Sequence, residues 1–292
     1  MSKMKVWVLA SRPKTLWAAV GPVLVGTAMA YSDGQAHWLT AFIVLFAAVF
    51  IQIGTNFSND YFDFVKGADA GERLGPTRAT QAGLVSSQEM KRATIVAFGF
   101  AVLAGIYLTY RGGWPILMIG IFSILFGILY TAGPYPLGYN GLGDGFVLIF
   151  FGLVAVGGTY YVQTLSINSM VLLAGLGPGL LSTTLLCVNN LRDLENDRKA
   201  GKKTLPVRFG RRFGQLEYLG TLFLAAVVPV VLIIQTHSHY LALAASASVA
   251  LASRDIRIIL KEKPGRIYNG VLANTGKLII FYCLLFSIGW IL

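Results

Sequence analysis

The residues able to do chemistry in this chain are two clusters of acids. One reads Asn59-Asp60-x-x-Asp63, with Asp69 and Glu72 beyond; the other reads Asn189-Asn190-x-x-Asp193, with Glu195 and Asp197 beyond. On a continuing helix Asp60 and Asp63 share a face at i, i+3, and Asp193 and Asp197 share one at i, i+4. The two stretches repeat the order Asn-polar-x-x-Asp 130 residues apart. Carboxylates presented by two facing helices suit Mg2+, which takes a few carboxylates, several waters and phosphate oxygens, better than zinc. Lys66, Arg73, Arg78, Lys91, Arg192, Arg198, Lys199, Lys202 and Lys203 surround the acids. Acids for a metal and bases for oxygens together describe a diphosphate site. No P-loop, GxGxxG or kinase-type Asp/Asn set accompanies them, so the diphosphate is not expected to be that of ATP.

The elements that must position these residues follow from composition. Of the 292 residues 55% are hydrophobic and only 13% charged, with a mean hydropathy of +0.65. A soluble domain carries about 25% charged residues, so an all-α integral membrane protein is expected. Charge-free runs include residues 34–59, 112–143, 145–191 and 218–253. A spanning helix needs about 20 apolar residues, so the longest run divides near 163–169 and the 218–253 run divides at Thr236-His237-Ser238-His239. Nine helices are expected, centred near residues 23, 47, 101, 122, 153, 179, 226, 246 and 284, in a single domain over 1–292. The motif segments 59–69 and 189–203 both follow even-numbered helices into one compartment, a weak parallel repeat that places a site between two halves.

Orientation follows from the basic residues. In the nine-helix arrangement 23 of the 24 lysines and arginines fall on one side and only Arg111 on the other. The positive-inside rule then puts the N-terminus and the charged loops in the cytoplasm and the C-terminus outside. A formal net charge of +11 reads as topology and anionic-lipid attraction rather than nucleic-acid binding. No cleavable signal pattern is expected, and helix one, preceded by Arg12 and Lys14, reads as a retained anchor. Cys187 and Cys283 read as buried thiols. The pair His237 and His239 reads as a solvated loop, with no third metal ligand nearby.

In a membrane the natural owner of such a diphosphate is a polyisoprenyl chain, its tail in lipid and its head at the cytoplasmic face. Mg2+ and the bases would stabilise diphosphate as it leaves an allylic carbon. Aromatic faces among Phe57, Tyr61, Phe62, Phe64, Tyr130, Tyr135 and Tyr139 could stabilise the cation.

Over nearly its whole length the sequence resembles the UbiA superfamily of intramembrane aromatic prenyltransferases. The resemblance lies in the helix count, in both acidic motifs and in Ser11-Arg12-Pro13-Lys14-Thr15-Leu16. Three segments resemble the 1,4-dihydroxy-2-naphthoate prenyltransferases of menaquinone biosynthesis: residues 74–84, 130–137 and 189–205. The family pattern Asn-Asp-x-x-Asp-x-x-x-Asp is matched by Asn59, Asp60 and Asp63. Its last position is Gly67 here, with Asp69 two residues on, which leaves a metal role for Asp69 open. Asp193 and Asp197 match the second motif, Arg78 the arginine after the first, and Lys199 and Lys203 bases after the second. The resemblance and the residues together assign Asp60, Asp63, Asp193 and Asp197 to Mg2+. They assign Asn59, Lys66, Arg78, Asn189, Arg192, Lys199 and Lys203 to the diphosphate. The implied reaction moves a polyprenyl group from its diphosphate onto 1,4-dihydroxy-2-naphthoate, with loss of the ring carboxylate as CO2, giving demethylmenaquinone at the inner membrane.

Rival readings are other acceptors of this superfamily (homogentisate, 4-hydroxybenzoate, haem, chlorophyllide), a CDP-alcohol phosphotransferase and a transporter. The loop after helix four lacks the bases of 4-hydroxybenzoate-type members. The contiguous Asp/Gly/Ala-Arg signature of the phosphotransferases is absent. A transporter would place ionisable residues near the bilayer midplane, whereas here every acidic cluster is expected at one face.

Overall fold

The computed structural model describes residues 2–67 and 74–292, and these form helices without strands. A short α1 (Lys3–Ser11) precedes α2 (Pro13–Ser32), whose first residue is a proline, a ring pre-set for the opening turn of a helix. α3 (Trp38–Val65) is capped by His37, whose Nδ1 accepts from the Thr40 amide. α4 (Ser87–Leu129) opens with a capping box in which Ser86 and Glu89 satisfy each other's backbone amides. Then come α5 (Gly143–Leu148), a π-helical turn (Ile149–Val154), α6 (Ala155–Thr164) and α7 (Ser169–Arg192), the last capped by Asn168. Two short helices, α8 (Leu194–Lys199) and α9 (Leu205–Phe209), lead into α10 (Arg211–Thr236). A mixed run over 240–261 contains α11 (Leu243–Ser248) and α12 (Ser253–Lys261), and α13 (Tyr268–Ile291) closes the chain.

Seven helical stretches among the described residues are long and apolar enough to cross a membrane: α2, α3, α4, α5 through α6, α7, α10 and α13. α4 accounts for two of the helices expected from the sequence. Its 43 residues are turned at Gly113, whose φ of 71° only glycine adopts readily, just before Pro115, which has no amide to continue the ladder. Beside the turn, Arg111 donates Nε to the Val162 carbonyl at 3.0 Å and Nη2 to the Gln163 carbonyl at 3.3 Å, capping the end of α6. The helix expected near 246 is broken into short 3-10 and α pieces.

α7 is the most buried span and packs against α10, α13, α2 and the π turn. Small residues permit the closest of these approaches. A Cβ at Gly152 would lie 2.7 Å from the Gly175 carbonyl, and one at Gly179 would lie 2.8 Å from the Leu148 carbonyl. Glycine seams of this kind bring backbones together where lipid offers no hydrophobic drive between helices. Ile95, Leu103, Tyr110 and Trp114 on α4 are exposed and stand off the cavity wall described below, a surface suited to lipid.

Candidate active site

Both acidic motifs end up at the mouth of one cavity of about 1350 Å3. Asn59 and Asp63, one helical turn apart near the end of α3, stand on its wall together with Arg78, Tyr139, Asn189, Asp193, Asp197, Lys199 and Lys202. Deeper in, the wall turns apolar at Ala47, Ile51, Leu108, Ile119 and Phe150. The space is therefore polar at one end and greasy along the rest.

Asp63 is held from two sides. Its carboxylate accepts from the Tyr139 hydroxyl and forms an ion pair with Arg78. Arg78 Nη1 also donates to the Asn59 carbonyl at 2.7 Å, and Asn59 Oδ1 accepts from the Thr131 hydroxyl at 2.6 Å. Asp60 lies elsewhere than the sequence suggested. Its buried carboxylate accepts from the amides of Ala79 at 3.0 Å and Thr80 at 3.4 Å, and it is not part of the cavity wall. The reason is angular: Asp60 is turned about 100° from Asn59 on a 3.6-residue helix, toward the loop that carries Arg78. Asp69 lies outside the described residues.

Across the mouth, α7 ends at Arg192 and Asp193 is its C-cap. Arg192 is buried to 2% exposure and does not reach the cavity. It donates Nε and Nη2 to the two oxygens of Asp193 at 3.0 and 2.6 Å. Nη2 also donates to Asn189 Oδ1 at 2.7 Å, and Nη1 donates to Asn269 Oδ1 at 3.0 Å. Arg192 thus sets the position of Asp193 from beneath, where the sequence had placed it on the diphosphate. Asp197, on α8, is paired with Lys202 at 3.4 Å. Burial pushes its carboxyl up to about 6, against the pull of Lys202 and with a further push from Asp193.

The basic residues divide in the same way. Lys199 and Lys202 line the cavity. Lys203 does not, and its amide instead donates to the Tyr139 carbonyl at 2.6 Å. Lys66 is also off the wall; its ammonium donates to the carbonyls of Thr131 at 2.7 Å and Gly133 at 3.0 Å, and burial pulls it below the usual lysine range. The Tyr139 ring takes two ammoniums over its π system, Lys66 at 5.3 Å and Lys202 at 4.6 Å from its centroid. Sequence reasoning counted Lys202 among the bases around the acids but assigned its neighbour Lys203 to the diphosphate, because a turn decides which of two adjacent lysines faces in. It also left Arg12 without a role, yet Arg12 lines the cavity at the break between α1 and α2 with φ of 52°. Asp144 and Glu217, 73 residues apart in sequence, meet carboxyl to carboxyl away from the cavity, a contact that no motif announced.

No three acids, histidines or cysteines among the described residues stand close enough to chelate an ion by themselves. One carboxylate (Asp63) faces two others (Asp193 and Asp197) across the mouth. That donor set fits a hard cation whose remaining ligands are water and phosphate oxygens, as Mg2+ prefers.

A helical bundle around an amphipathic cavity with acids and bases at its mouth defines a class, and the chain belongs to it: the UbiA prenyltransferase family model matches residues 19–291. The protein is thus an integral, multi-pass membrane protein. Among its relatives, the 1,4-dihydroxy-2-naphthoate octaprenyltransferase of Haemophilus influenzae is 37% identical, the match covering 98% of this chain and 96% of that one. The Escherichia coli protein of the same description is 36% identical over 99% and 96% of the two chains. The fold is also that of a UbiA homologue from Archaeoglobus fulgidus solved with DMAPP and Mg2+, at a TM-score of 0.68 and 16% identity over 97% of this chain and 99% of that one.

Proposed function

We infer that this enzyme transfers a polyprenyl group from polyprenyl diphosphate to 1,4-dihydroxy-2-naphthoate, with loss of the ring carboxylate as CO2, the step that yields demethylmenaquinone. The observation that carries the reading is near-full-length similarity to 1,4-dihydroxy-2-naphthoate octaprenyltransferases, joined to a cavity that is polar at its mouth and apolar within. Arg78, Lys199 and Lys202 are placed to hold phosphate oxygens, and the apolar wall takes the isoprenoid. Asp63, Asp193 and Asp197 would hold Mg2+, which when bound offsets the diphosphate charge as it leaves. Asp60 and Arg192 act one step back, the first on the loop of Arg78 and the second on Asp193. Tyr130, Phe126, Phe146 and Phe150 offer ring faces along the wall, where an allylic cation is stabilised and water is excluded until a ring carbon attacks.

The test supplies membranes with labelled polyprenyl diphosphate and either carboxyl-labelled dihydroxynaphthoate or 4-hydroxybenzoate. Prenylated naphthol with release of labelled CO2 is expected. Prenylation that retains the carboxylate, or a preference for the benzoate, would overturn the acceptor.

Asp197 also makes metal use depend on pH. A carboxyl raised to about 6 is ionised above that value and protonated below it, and a protonated carboxyl is a poor ligand. The Mg2+ concentration giving half-maximal prenyl transfer should therefore rise steeply between pH 6.5 and 5.5 and stay flat between 7.5 and 8.5. A requirement that does not change across pH 6 would remove Asp197 from the metal site.

We propose nine crossings within one domain spanning 1–292. α4 counts twice across its turn and the 240–261 run serves as the eighth. The N-terminus and the cavity mouth then face the cytoplasm across the inner membrane, and the C-terminus lies outside. The distribution of lysine and arginine supports this orientation. Both native cysteines are buried, so labelling has a low background. A cysteine at Lys263 should react with an impermeant thiol reagent only from the cytoplasm, and one at Ser166 only from outside. Reaction of both from one side rejects the arrangement.

A further inference from the structure

Away from the reaction cavity, α12 and α13 run antiparallel and leave a groove of about 510 Å3 between them. One end of the groove carries Arg254 and Lys277, both exposed. The rest is walled by Leu251, Leu278, Phe281 and Leu284. Lys277, Phe281 and Leu284 follow at i, i+4 and i+7, so a single helical face changes from cation to hydrocarbon within two turns.

The charges lie well inside the helices. Lys277 is nine residues from the start of α13 and Arg254 seven from the end of α12, or about 10–14 Å of helix at 1.5 Å per residue. Those helix ends share a side with the active-site mouth, because Asn269 at the start of α13 accepts from Arg192. A cation below the headgroup plane on a lipid-facing surface is costly unless it snorkels to an anion. The protein itself supplies little negative charge there. Asp255 is buried and accepts from Asn274 Nδ2 at 3.0 Å. Arg257, one turn along α12 from Arg254, is a third exposed cation. Among the described residues no carboxylate forms an ion pair with Arg257 or Lys277. Arg254 and Lys277 line the groove against one buried acid, Asp255, beside Arg254, so its mouth is net positive above an apolar trough, with Arg257 adding charge nearby.

We propose that this groove binds one anionic phospholipid of the surrounding bilayer. Its phosphate sits on Arg254 and Lys277, and one acyl chain lies along Leu278, Phe281 and Leu284. A basic pocket between membrane helices with hydrocarbon beneath it has the order of charge and grease that an anionic lipid carries.

Native mass spectrometry tests this on the purified protein, offered phosphatidylglycerol or phosphatidylcholine with identical acyl chains at equal mole fraction. One retained phosphatidylglycerol per chain is expected, and little phosphatidylcholine. Each cation near an anionic lipid contributes about fivefold, so Arg254→Gln combined with Lys277→Gln should weaken retention roughly 30-fold. Lys3→Gln combined with Lys5→Gln removes the same charge from exposed positions on α1 and should change nothing. If the first pair fails to fold, Lys277→Gln alone reads about a fivefold loss. Equal retention of the two lipids by the unaltered protein would overturn the site. So would an equal loss in the α1 variant, which would mean that net charge alone attracts the lipid.

Discussion

Asp63→Asn should lower prenyl transfer by about 100-fold, the upper end for disturbing a metal site or its supports. The substitution keeps the volume and can keep the Tyr139 contact, but it removes the negative charge that Arg78 balances and that Mg2+ needs. Raising Mg2+ should restore part of the activity, because weakened metal affinity is the principal loss. Asp193→Asn should behave in the same way, and the two together should cost much less than the product of the singles, since they serve one cation–diphosphate unit. Asp60→Asn is the contrasting case. An amide oxygen can still accept from Ala79 or Thr80, but without charge assistance each bond is weaker. The expected loss is about tenfold, expressed as weaker prenyl-diphosphate binding through a displaced Arg78, and added Mg2+ should not repair it. Magnesium titrations of the folded variants check this. If Asp60→Asn matches Asp63→Asn in size and in its response to Mg2+, Asp60 is a ligand after all.

The second large effect is expected at Arg192→Met. The guanidinium is buried and bonded to Asp193, Asn189 and Asn269. Arg192 is buried but Asp193 stands part-exposed on the cavity wall, so loss of the guanidinium costs about 3 kcal/mol, the low end for breaking such a pair. At roughly 2–4 °C per kcal/mol for a chain of this order of size, the melting temperature should fall by about 10 °C. The fraction that stays folded should also be nearly inactive, because Asp193 loses the fork that aims it. Arg192→Lys returns the charge but not the planar, two-pronged geometry, so it should recover stability in part and activity hardly at all. Gly75 provides a second handle on the same spot. A Cβ there would lie 2.7 Å from Arg192 Nη2, so Gly75→Ala should push the guanidinium and show a milder form of the same defect. An Arg192→Met protein with normal melting and normal turnover would refute the positioning role.

These cases separate what a linear reading can reach from what it cannot. Charge-free runs disclose apolar helices because each must fill the bilayer with its own residues, and the centres expected near 23, 47, 153, 179, 226 and 284 each fall within a single apolar span. The run near 246 was harder, since its turns are irregular and its length marginal. Within the motifs, residue type suggested a metal and a diphosphate, but the direction of a side chain depends on its partner. Asp60 is claimed by amides 19 and 20 residues downstream, and Arg192 by an asparagine 77 residues away. Lys202 faces inward rather than Lys203 because the backbone of Lys203 is tied to Tyr139. Such contacts exist only after the helices have assembled, so no spacing rule contains them.

The turn at Gly113 has a consequence for biogenesis. If α4 makes the two crossings proposed above, its arms, joined by the single turn at Gly113, would enter the bilayer together as a hairpin with Arg111 near its tip. Carrying that arginine through hydrocarbon costs about 2.5–3.5 kcal/mol on translocon-based scales. Once across, its guanidinium meets the Val162 and Gln163 carbonyls at the end of α6. Withdrawal would have to pull the charge back through the lipid and also leave those carbonyls uncapped. In that arrangement the arginine would act as a latch that opposes withdrawal of the hairpin, set once α6 is in place to offer its carbonyls.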